Sequence, residues 1–149
     1  MRAVVQRVNK ASCWVGEKEV GSINKGIVIF LGIGKDDELG DTKYMANKIL
    51  NLRIFGDSQD KLNLSLLQVR GEVLIIPQFT VYGNCRKGYR PNFIKAATPQ
   101  RAKSLYFKVV QIMREKIHRV EEGVFGAKMR VRVDNDGPVT LILDSKKSI

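Results

Sequence analysis

The sequence predicts a mixed α/β fold, a single domain in which a mostly antiparallel sheet or barrel is covered by two main helices. Short apolar or alternating segments recur along the chain and are separated by glycine-containing turns. Two longer segments, residues 37–52 and 98–118, instead repeat apolar residues every three or four positions, as amphipathic helices do. The 149 residues are 44% hydrophobic with only 4 prolines. One domain, residues 1–149, can therefore bury roughly two thirds of its unfolded surface.

The N-terminal segment predicts two or more strands and a hairpin. Residues 1–8 alternate loosely between apolar and polar, which predicts a first strand. Residues 11–15 and 18–23 flank Gly16-Glu17, a hairpin turn because glycine accepts positive φ. Trp14 is predicted to be a packing residue.

Residues 26–33 are the longest apolar run, and residues 26–34 predict a strand at the centre of the sheet. Gly32 and Gly34 do not form a phosphate loop, because no third glycine or Gly-Lys-Ser/Thr follows at the required spacing. The acidic start and apolar spacing of residues 37–52 then predict a helix that covers the sheet. Residues 53–55 resume strand character, and residues 62–69 are predicted to lead back to the sheet after a polar loop.

Residues 72–82 change abruptly from apolar to polar. A strand buried on both faces is predicted up to Ile76. Pro77 has no N–H group and a fixed φ, so it belongs at an edge or a bulge. If Pro77 ends the ladder, the backbone groups of Gln78, Phe79 and Thr80 are free to meet a ligand. A core strand that simply ends in a kink remains an equal alternative.

Residues 83–91, called the basic loop below, contain Arg86, Lys87, Tyr89 and Arg90 together with two glycines. Such a segment fits RNA phosphates and stacked bases, although a solvated loop without a partner is the alternative.

The C-terminal part of the chain predicts the second helix and the closing strands. Thr98-Pro99 predicts a capped start for the helix, which runs to about His118. Residues 128–133 alternate basic with apolar residues and predict a half-exposed strand with one positive face. Residues 135–138 predict a tight turn, and residues 139–143 a last strand before a polar tail that frays.

Composition excludes several classes of function. Lys and Arg number 26 against 15 Asp and Glu, a net charge of +11 that favours a polyanionic partner such as nucleic acid. No segment has the length or apolar character of a membrane span or a secretory signal, so we expect a cytoplasmic protein without membrane contact. Two cysteines predict reduced thiols, and a single histidine predicts no metal site and no cofactor.

Two motifs carry a family resemblance that runs nearly end to end. Residues 77–80, Pro-Gln-Phe-Thr, together with residues 135–140, Asn-Asp-Gly-Pro-Val-Thr, resemble the paired signatures of the D-aminoacyl-tRNA deacylases, which are usually Ser-Gln-Phe-Thr and Asn-x-Gly-Pro-x-Thr. Further similarity covers Gln6-Arg7-Val8, residues 52–55, residues 90–93 with Pro99, and residues 125–127 with Met129. The resemblance implies a homodimeric hydrolase that cleaves the ester joining a D-amino acid to the 3′ end of tRNA.

The resemblance also implies roles for individual residues. The catalytic residues are implied to be Thr80, Phe79 and Gln78, with the attacking water activated by the 2′-hydroxyl of the substrate. Thr80 acting as a nucleophile is the minority alternative. The Gly137-Pro138 bond is implied to be cis, to enter the pocket of the partner subunit and to exclude L side chains while accepting glycine. The resemblance further implies that the substrate contacts Pro77, Phe125, Gly126 and Met129, and that the last three line the terminal adenosine. The residues expected to bind the rest of the tRNA are Arg7, Arg86, Lys87 and Arg90.

Pro77 departs from the usual serine of the family. A related group that clears L-alanine from mischarged tRNA has Pro-Gln here but continues with Ala-Thr, whereas this chain keeps Phe79. We therefore expect D-specific hydrolysis. An L-alanyl-tRNA deacylase and a non-catalytic RNA-binding protein are the alternatives.

Overall fold

The computed structural model describes residues 1–149, and its framework is a six-stranded sheet that curls back on itself. The elements are β1 (Arg2–Val15), β2 (Lys18–Ile23), β3 (Gly26–Gly32), α1 (Leu39–Asn51), β4 (Phe55–Gly56), β5 (Leu62–Leu64), α2 (Leu66–Val69), β6 (Glu72–Pro77), a 3₁₀ turn (Phe79–Tyr82), α3 (Pro99–Lys116), β7 (Val120–Glu122) and β8 (Arg130–Asp144).

Antiparallel pairing dominates the main sheet, as predicted. The strands follow the order β2-β1-β3-β6-β7, and β8 pairs with β1. β1 is antiparallel to β2, β3 and β8, whereas β3-β6 and β6-β7 are parallel. β2 lies against β6 and β7, so that the sheet is nearly a closed barrel. The predicted mixed α/β class is confirmed, with two main helices and the short α2.

The main core lies between the sheet and the two long helices. Met45 and Ile49 of α1 and Val109 and Met113 of α3 are fully buried against the apolar inner face of β3 and β6. Each helix turns one apolar stripe inward, because residues three and four apart share a helix face. A smaller apolar cluster, which includes Cys13, fills the opposite face of the sheet. Both long helices thus support the strands that end at the candidate site.

One local prediction is wrong, and two features of the structure were not foreseen. Residues 62–69 do not rejoin the main sheet, because β5 pairs with β4 in a separate two-stranded sheet and α2 follows. β7 was not predicted, because Val120–Glu122 is too short to show a pattern. Trp14 is only half-buried, and the guanidinium groups of Arg130 and Arg132 lie 5.6 and 5.4 Å from its ring centre.

The predicted tight turn at residues 135–138 does not reverse the chain. β8 continues antiparallel to β1 on both sides of it, with Asn135 opposite Val8 and Thr140 opposite Gln6. Residues 136–139 therefore stand opposite Arg7 alone and bulge out of the ladder. Because β8 stays paired with β1 on both sides of these residues, a sequence typical of a turn forms a projection from an edge strand.

The polar tail is anchored at its start, contrary to the prediction that it frays. The Ser145 N–H donates to the Met1 carbonyl at 2.8 Å, and the Lys146 ammonium donates to Asp41 at 2.8 Å. Partial burial would raise the pKa of Asp41, but the hydrogen bonds from Lys146 and Ser145 lower it to about 2.

None of the helices combines the length and apolar character needed to cross a membrane. Both cysteines are free thiols, Cys13 buried and Cys85 exposed.

Candidate active site

A cavity of about 400 Å³ opens where β6 ends. Pro77, Gln78, Phe79, Phe125 and Gly126, all predicted site residues, line it together. The remaining wall comes from the end of β3, the segment before α3 and the first turns of α3, and it is mainly apolar. Its size falls within the range of about 300–1,000 Å³ that small-molecule sites occupy. The cavity is therefore large enough for part of a nucleotide.

The backbone at the rim leaves two N–H donors unpaired. Pro77 is the last residue of the β3-β6 ladder, but the Gln78 N–H still donates to the Leu31 carbonyl at 2.8 Å. The expectation that the Gln78 N–H is free is therefore wrong. The first bond of the following 3₁₀ turn runs from the Val81 N–H to the Gln78 carbonyl. The N–H groups of Phe79 and Thr80 come before it and are the orphan donors at the start of the turn.

The side chains of the same turn are held in place. The Gln78 side-chain amide donates to the Thr80 hydroxyl, which is exposed. The Phe79 ring packs edge-to-face on Phe93, with ring centres 5.0 Å apart. Thr80 does not line the cavity but lies beside its rim. Thr80 forms no hydrogen bond with a histidine, aspartate or glutamate side chain.

Gly32 explains how the turn approaches the sheet so closely. A Cβ atom at this position would lie 2.2 Å from Val81 Cγ2 and 2.8 Å from the Gln78 carbonyl oxygen. Only glycine leaves space for the turn against the end of β3. The sequence shows this glycine only as part of an apolar run, so its role was not predicted.

Tyr106 is a cavity residue that the sequence analysis missed. Its place in the apolar repeat of α3 assigns it to the core, where it is indeed 1% exposed. Its hydroxyl donates to the Ile75 carbonyl at 3.0 Å, and its ring lies 6.0 Å from that of Phe125. Burial raises the pKa of Tyr106 far above its usual range, so the phenol stays neutral.

The predicted cis bond between Gly137 and Pro138 is confirmed, and Gly137 has a φ of 117°. The side-chain amide of Asn135 braces the bulge by donating to the carbonyls of Arg7 at 2.9 Å and Val139 at 3.1 Å. Neither Gly137 nor Pro138 lines the cavity of its own chain, and both are exposed.

Strand pairing shows how far the bulge is from the cavity within one chain. Ala3 pairs with Leu31, and Leu31 pairs with Pro77, whereas the bulge faces Arg7. The separation is four residues along β1, about 13 Å, and three strand spacings across the sheet, about 14 Å. One chain by itself does not bring the two motifs together.

Arg7 and Met129 have different surroundings from those predicted. The Arg7 side chain is 14% exposed, its Nε lies 3.1 Å from the Asp136 carboxylate, and its Nη1 donates to the Ile54 carbonyl at 2.8 Å. This arginine braces the bulge. Met129 lies outside the cavity, where its sulfur accepts the Val124 N–H at 3.3 Å.

The basic loop leaves the 3₁₀ turn at Gly83 and is open to solvent. Arg86, Lys87 and Arg90 are all exposed and form no ion pair. No group of three or more His, Cys, Asp or Glu side chains is arranged to hold a metal ion.

Comparison with known proteins identifies the family of this chain. A family model described as D-Tyr-tRNA(Tyr) deacylase matches residues 4–144. D-aminoacyl-tRNA deacylases of Fervidobacterium nodosum and of Clostridium perfringens (strain SM101 / Type A) are each 59% identical to this chain, and each comparison covers 99% of both chains.

Solved structures show the same fold. One described as a c-Myc DNA unwinding element binding protein has a TM-score of 0.92 and 37% identity over 97% of this chain and 98% of its own. A probable eukaryotic D-amino acid tRNA deacylase has a TM-score of 0.82 at 18% identity over 95% of this chain and 97% of its own, which shows the fold alone. With a family match along nearly its whole length and relatives at 59% identity, the chain belongs to the D-Tyr-tRNA(Tyr) deacylase family, that of the D-aminoacyl-tRNA deacylases.

Proposed function

We propose that this protein hydrolyses the ester between a D-amino acid and the 3′ end of tRNA and releases the free amino acid and the tRNA. The observation that carries the proposal is the apolar cavity with two unpaired N–H donors, of Phe79 and Thr80, at its rim. Such donors stabilise the oxyanion that develops when water attacks an ester carbonyl. A substrate of this kind is found in the cytoplasm, where we expect the protein to act.

The terminal adenosine of the tRNA occupies the cavity in this proposal. Phe79, Phe125 and Tyr106 offer aromatic and apolar surface to a base, and Gly126 leaves space beside them. Burying a base against such walls removes apolar surface from water. The ester at the adjacent ribose would then lie at the rim, near Thr80.

No side chain in the site serves as a general base. His118 lies 3.6 Å from Glu72, at the start of β6, whereas Thr80 follows the end of that strand. Five residue steps along the strand, about 16 Å, separate the two ends. We propose that the 2′-hydroxyl of the substrate activates the attacking water and that Gln78 and Thr80 position the ester.

A two-fold dimer completes the site in this proposal. The bulge with Gly137 and Pro138 is about 20 Å from the cavity of its own chain by strand spacing, so it would serve a neighbouring chain. β8 is an edge strand with an exposed Ile142 and half-buried valines, features of a surface that pairs with another chain. In a two-fold arrangement each bulge would reach the partner's cavity.

Chiral selection would follow from this arrangement by exclusion. The carbonyl oxygens of Gly137 and Pro138 would accept hydrogen bonds from the α-ammonium group and leave no space for an L side chain. Glycine has no side chain to exclude, so glycyl-tRNA should also be a substrate. Phe79, where the L-alanyl-tRNA deacylases have alanine, keeps the pocket narrower and favours the D-specific proposal.

Separate incubation with D-aminoacyl-, L-alanyl- and glycyl-tRNA tests the proposal. We expect release of the amino acid from the D-aminoacyl- and glycyl-tRNAs and not from L-alanyl-tRNA. Release from L-alanyl-tRNA alone would support the L-alanyl-tRNA deacylase alternative.

A non-catalytic nucleic-acid-binding role is the second candidate. The net charge of +11 favours it, as does the 37% identity to a protein described as binding a DNA unwinding element. Such a protein would bind all of these tRNAs and release no amino acid.

Thr80→Ala is expected to slow deacylation by about 100-fold at most, whereas loss of a covalent nucleophile can cost on the order of a millionfold. The reason is that Thr80 has no adjacent base and would only position the ester. Single-turnover rates measure the effect, and Thr80→Ser, which keeps the hydroxyl, should stay near wild type. An aminoacyl-Thr80 intermediate trapped by rapid quenching would contradict this mechanism.

Replacing Arg86, Lys87 and Arg90 together by glutamine should weaken tRNA binding and leave turnover at saturation little changed. Each phosphate contact contributes about one unit to the slope of log affinity against log salt, so the slope should fall by about 2 to 3. The same replacement of the exposed Lys43, Lys48 and Lys61 is the control for net charge. Equal slopes for the basic-loop variant and wild type would remove this assignment.

A further inference from the structure

The basic loop has a fixed neck. The Asn84 and Asn92 backbones exchange two hydrogen bonds, of 2.8 and 3.0 Å, across it. Their side-chain oxygens accept the N–H groups of Arg86 and Ile94, at 3.0 and 2.8 Å. The two backbone bonds therefore close residues 84–92 into a projection, and the two side-chain bonds support its ends.

Tyr89 stands at the tip of this projection and packs on nothing. Its exposed fraction is 107%, the highest among the large apolar and aromatic side chains of the chain. It has no aromatic neighbour and no cation over its ring, whereas the exposed Phe79 and Phe107 each pack on another ring. A ring with no intramolecular contact contributes nothing to the folded state, and both of its faces are open to a ligand.

The neck keeps Tyr89 within a short span of chain from the cavity. Phe93, one residue beyond the neck, lines the cavity and packs on Phe79. Four residue steps separate Phe93 from Tyr89, a span of at most about 14 Å. A stacked strand advances about 3.4 Å per nucleotide, so Tyr89 is within about four nucleotides of a terminal nucleotide bound in the cavity.

We propose that Tyr89 stacks on an unpaired base of the tRNA 3′ strand, within about four nucleotides of the esterified end. The inference rests on the proposed function, since it takes the terminal nucleotide to occupy the cavity. Aromatic rings flanked by cations bind single-stranded RNA in this way, because every base has a face that can stack. Arg86, Lys87 and Arg90 hold the adjacent phosphates, and Tyr89 positions the strand without touching the ester.

Tyr89→Ala, Tyr89→Phe and Tyr89→Trp test this role on two substrates, D-tyrosyl-tRNA and the D-tyrosyl ester of adenosine. We expect Tyr89→Ala to raise KM for the tRNA by about 5- to 100-fold. Its kcat, and all of its kinetics on the adenosine ester, should match wild type, because the ester lacks the upstream bases. The Phe and Trp variants keep a stacking ring and should rescue KM. Tyr44→Ala, on α1, is the matched control for loss of an exposed tyrosine.

Binding measured by fluorescence anisotropy provides a readout that does not depend on catalysis. An RNA hairpin with about four unpaired 3′ nucleotides should bind Tyr89→Ala more weakly than wild type, with an unchanged salt slope. The same hairpin with a blunt end should bind both proteins equally. Equal binding of the overhang hairpin by both proteins, or equal kinetic losses on tRNA and adenosine ester, would overturn the inference. If wild type releases no amino acid while the hairpin results hold, the proposed function fails and the stacking role of Tyr89 stands.

Discussion

Gly137→Ala is expected to lower hydrolysis of D-aminoacyl-tRNA by about 100-fold or more, the cost of misplacing a substrate-positioning group by about 1 Å. The backbone φ of 117° is one that a residue with a Cβ rarely adopts. The added Cβ would also lie 2.8 Å from Val139 Cγ2 and 3.0 Å from Arg7 Nη2, so the bulge would have to move. Initial rates on D- and L-aminoacyl-tRNA measure the loss and any relaxation of chirality.

Gly16→Ala is the matched control for this substitution. Gly16 also has a positive φ, 57°, but it lies in the β1-β2 hairpin turn, and no atom is within 4 Å of its Cβ position. The variant should be mildly less stable and fully active. Equal activity of Gly137→Ala and wild type would contradict the assignment of the bulge to the site.

Mixing two inactive variants tests whether the bulge acts across subunits. In Gly32→Ala the new Cβ would displace the Gln78–Val81 turn, so the cavity rim is damaged while the bulge is intact. In the proposed two-fold dimer, refolding this variant with Gly137→Ala would give mixed dimers with one intact cavity and one intact bulge facing each other. We expect activity to return in the mixture and not in either variant alone. No recovery despite mixed dimers, confirmed by mass spectrometry, would show that each chain uses its own bulge.

Asp37→Asn is expected to destabilise the protein by about 3–5 kcal/mol, the cost of leaving one member of a buried ion pair uncompensated. Asp37 is 1% exposed and pairs with the Met1 ammonium group, which is fully buried. The same carboxylate accepts the Gly34 N–H at 2.6 Å. Burial and the charge of Asp37 raise the pKa of Tyr82, whose hydroxyl lies 3.5 Å from the carboxylate.

Thermal unfolding measures this effect. For a domain of this size each kcal/mol corresponds to about 2–4 °C, so Tm should fall by about 6–20 °C. Asp36→Asn changes the same charge at the adjacent, exposed residue and should leave Tm nearly unchanged. Equal shifts for the two variants would mean that net charge, and not the buried pair, sets the stability.

The sequence by itself determined most of the elements and the residues of the two motifs. Alternation in β1, the apolar run of β3 and the spacing in α1 and α3 depend on local periodicity, which a single chain displays directly. Pro77 marked the end of β6 because a proline cannot donate to a ladder at any position. The position of the helix start at Thr98-Pro99 is equally local and was also correct, although the Thr98 side chain forms no capping hydrogen bond.

Tertiary structure decided which residues meet. Tyr106 lines the cavity, and the 3₁₀ turn lies directly against Gly32, because of how α3 and β6 pack on β3. Arg7 braces the bulge through pairing between strands more than a hundred residues apart in sequence. Residues 135–138 are a turn by composition, yet β1 keeps β8 straight on both sides of them, so they project from an edge. Long-range pairing set these positions, and periodicity within one segment carries no information about a partner strand elsewhere in the chain.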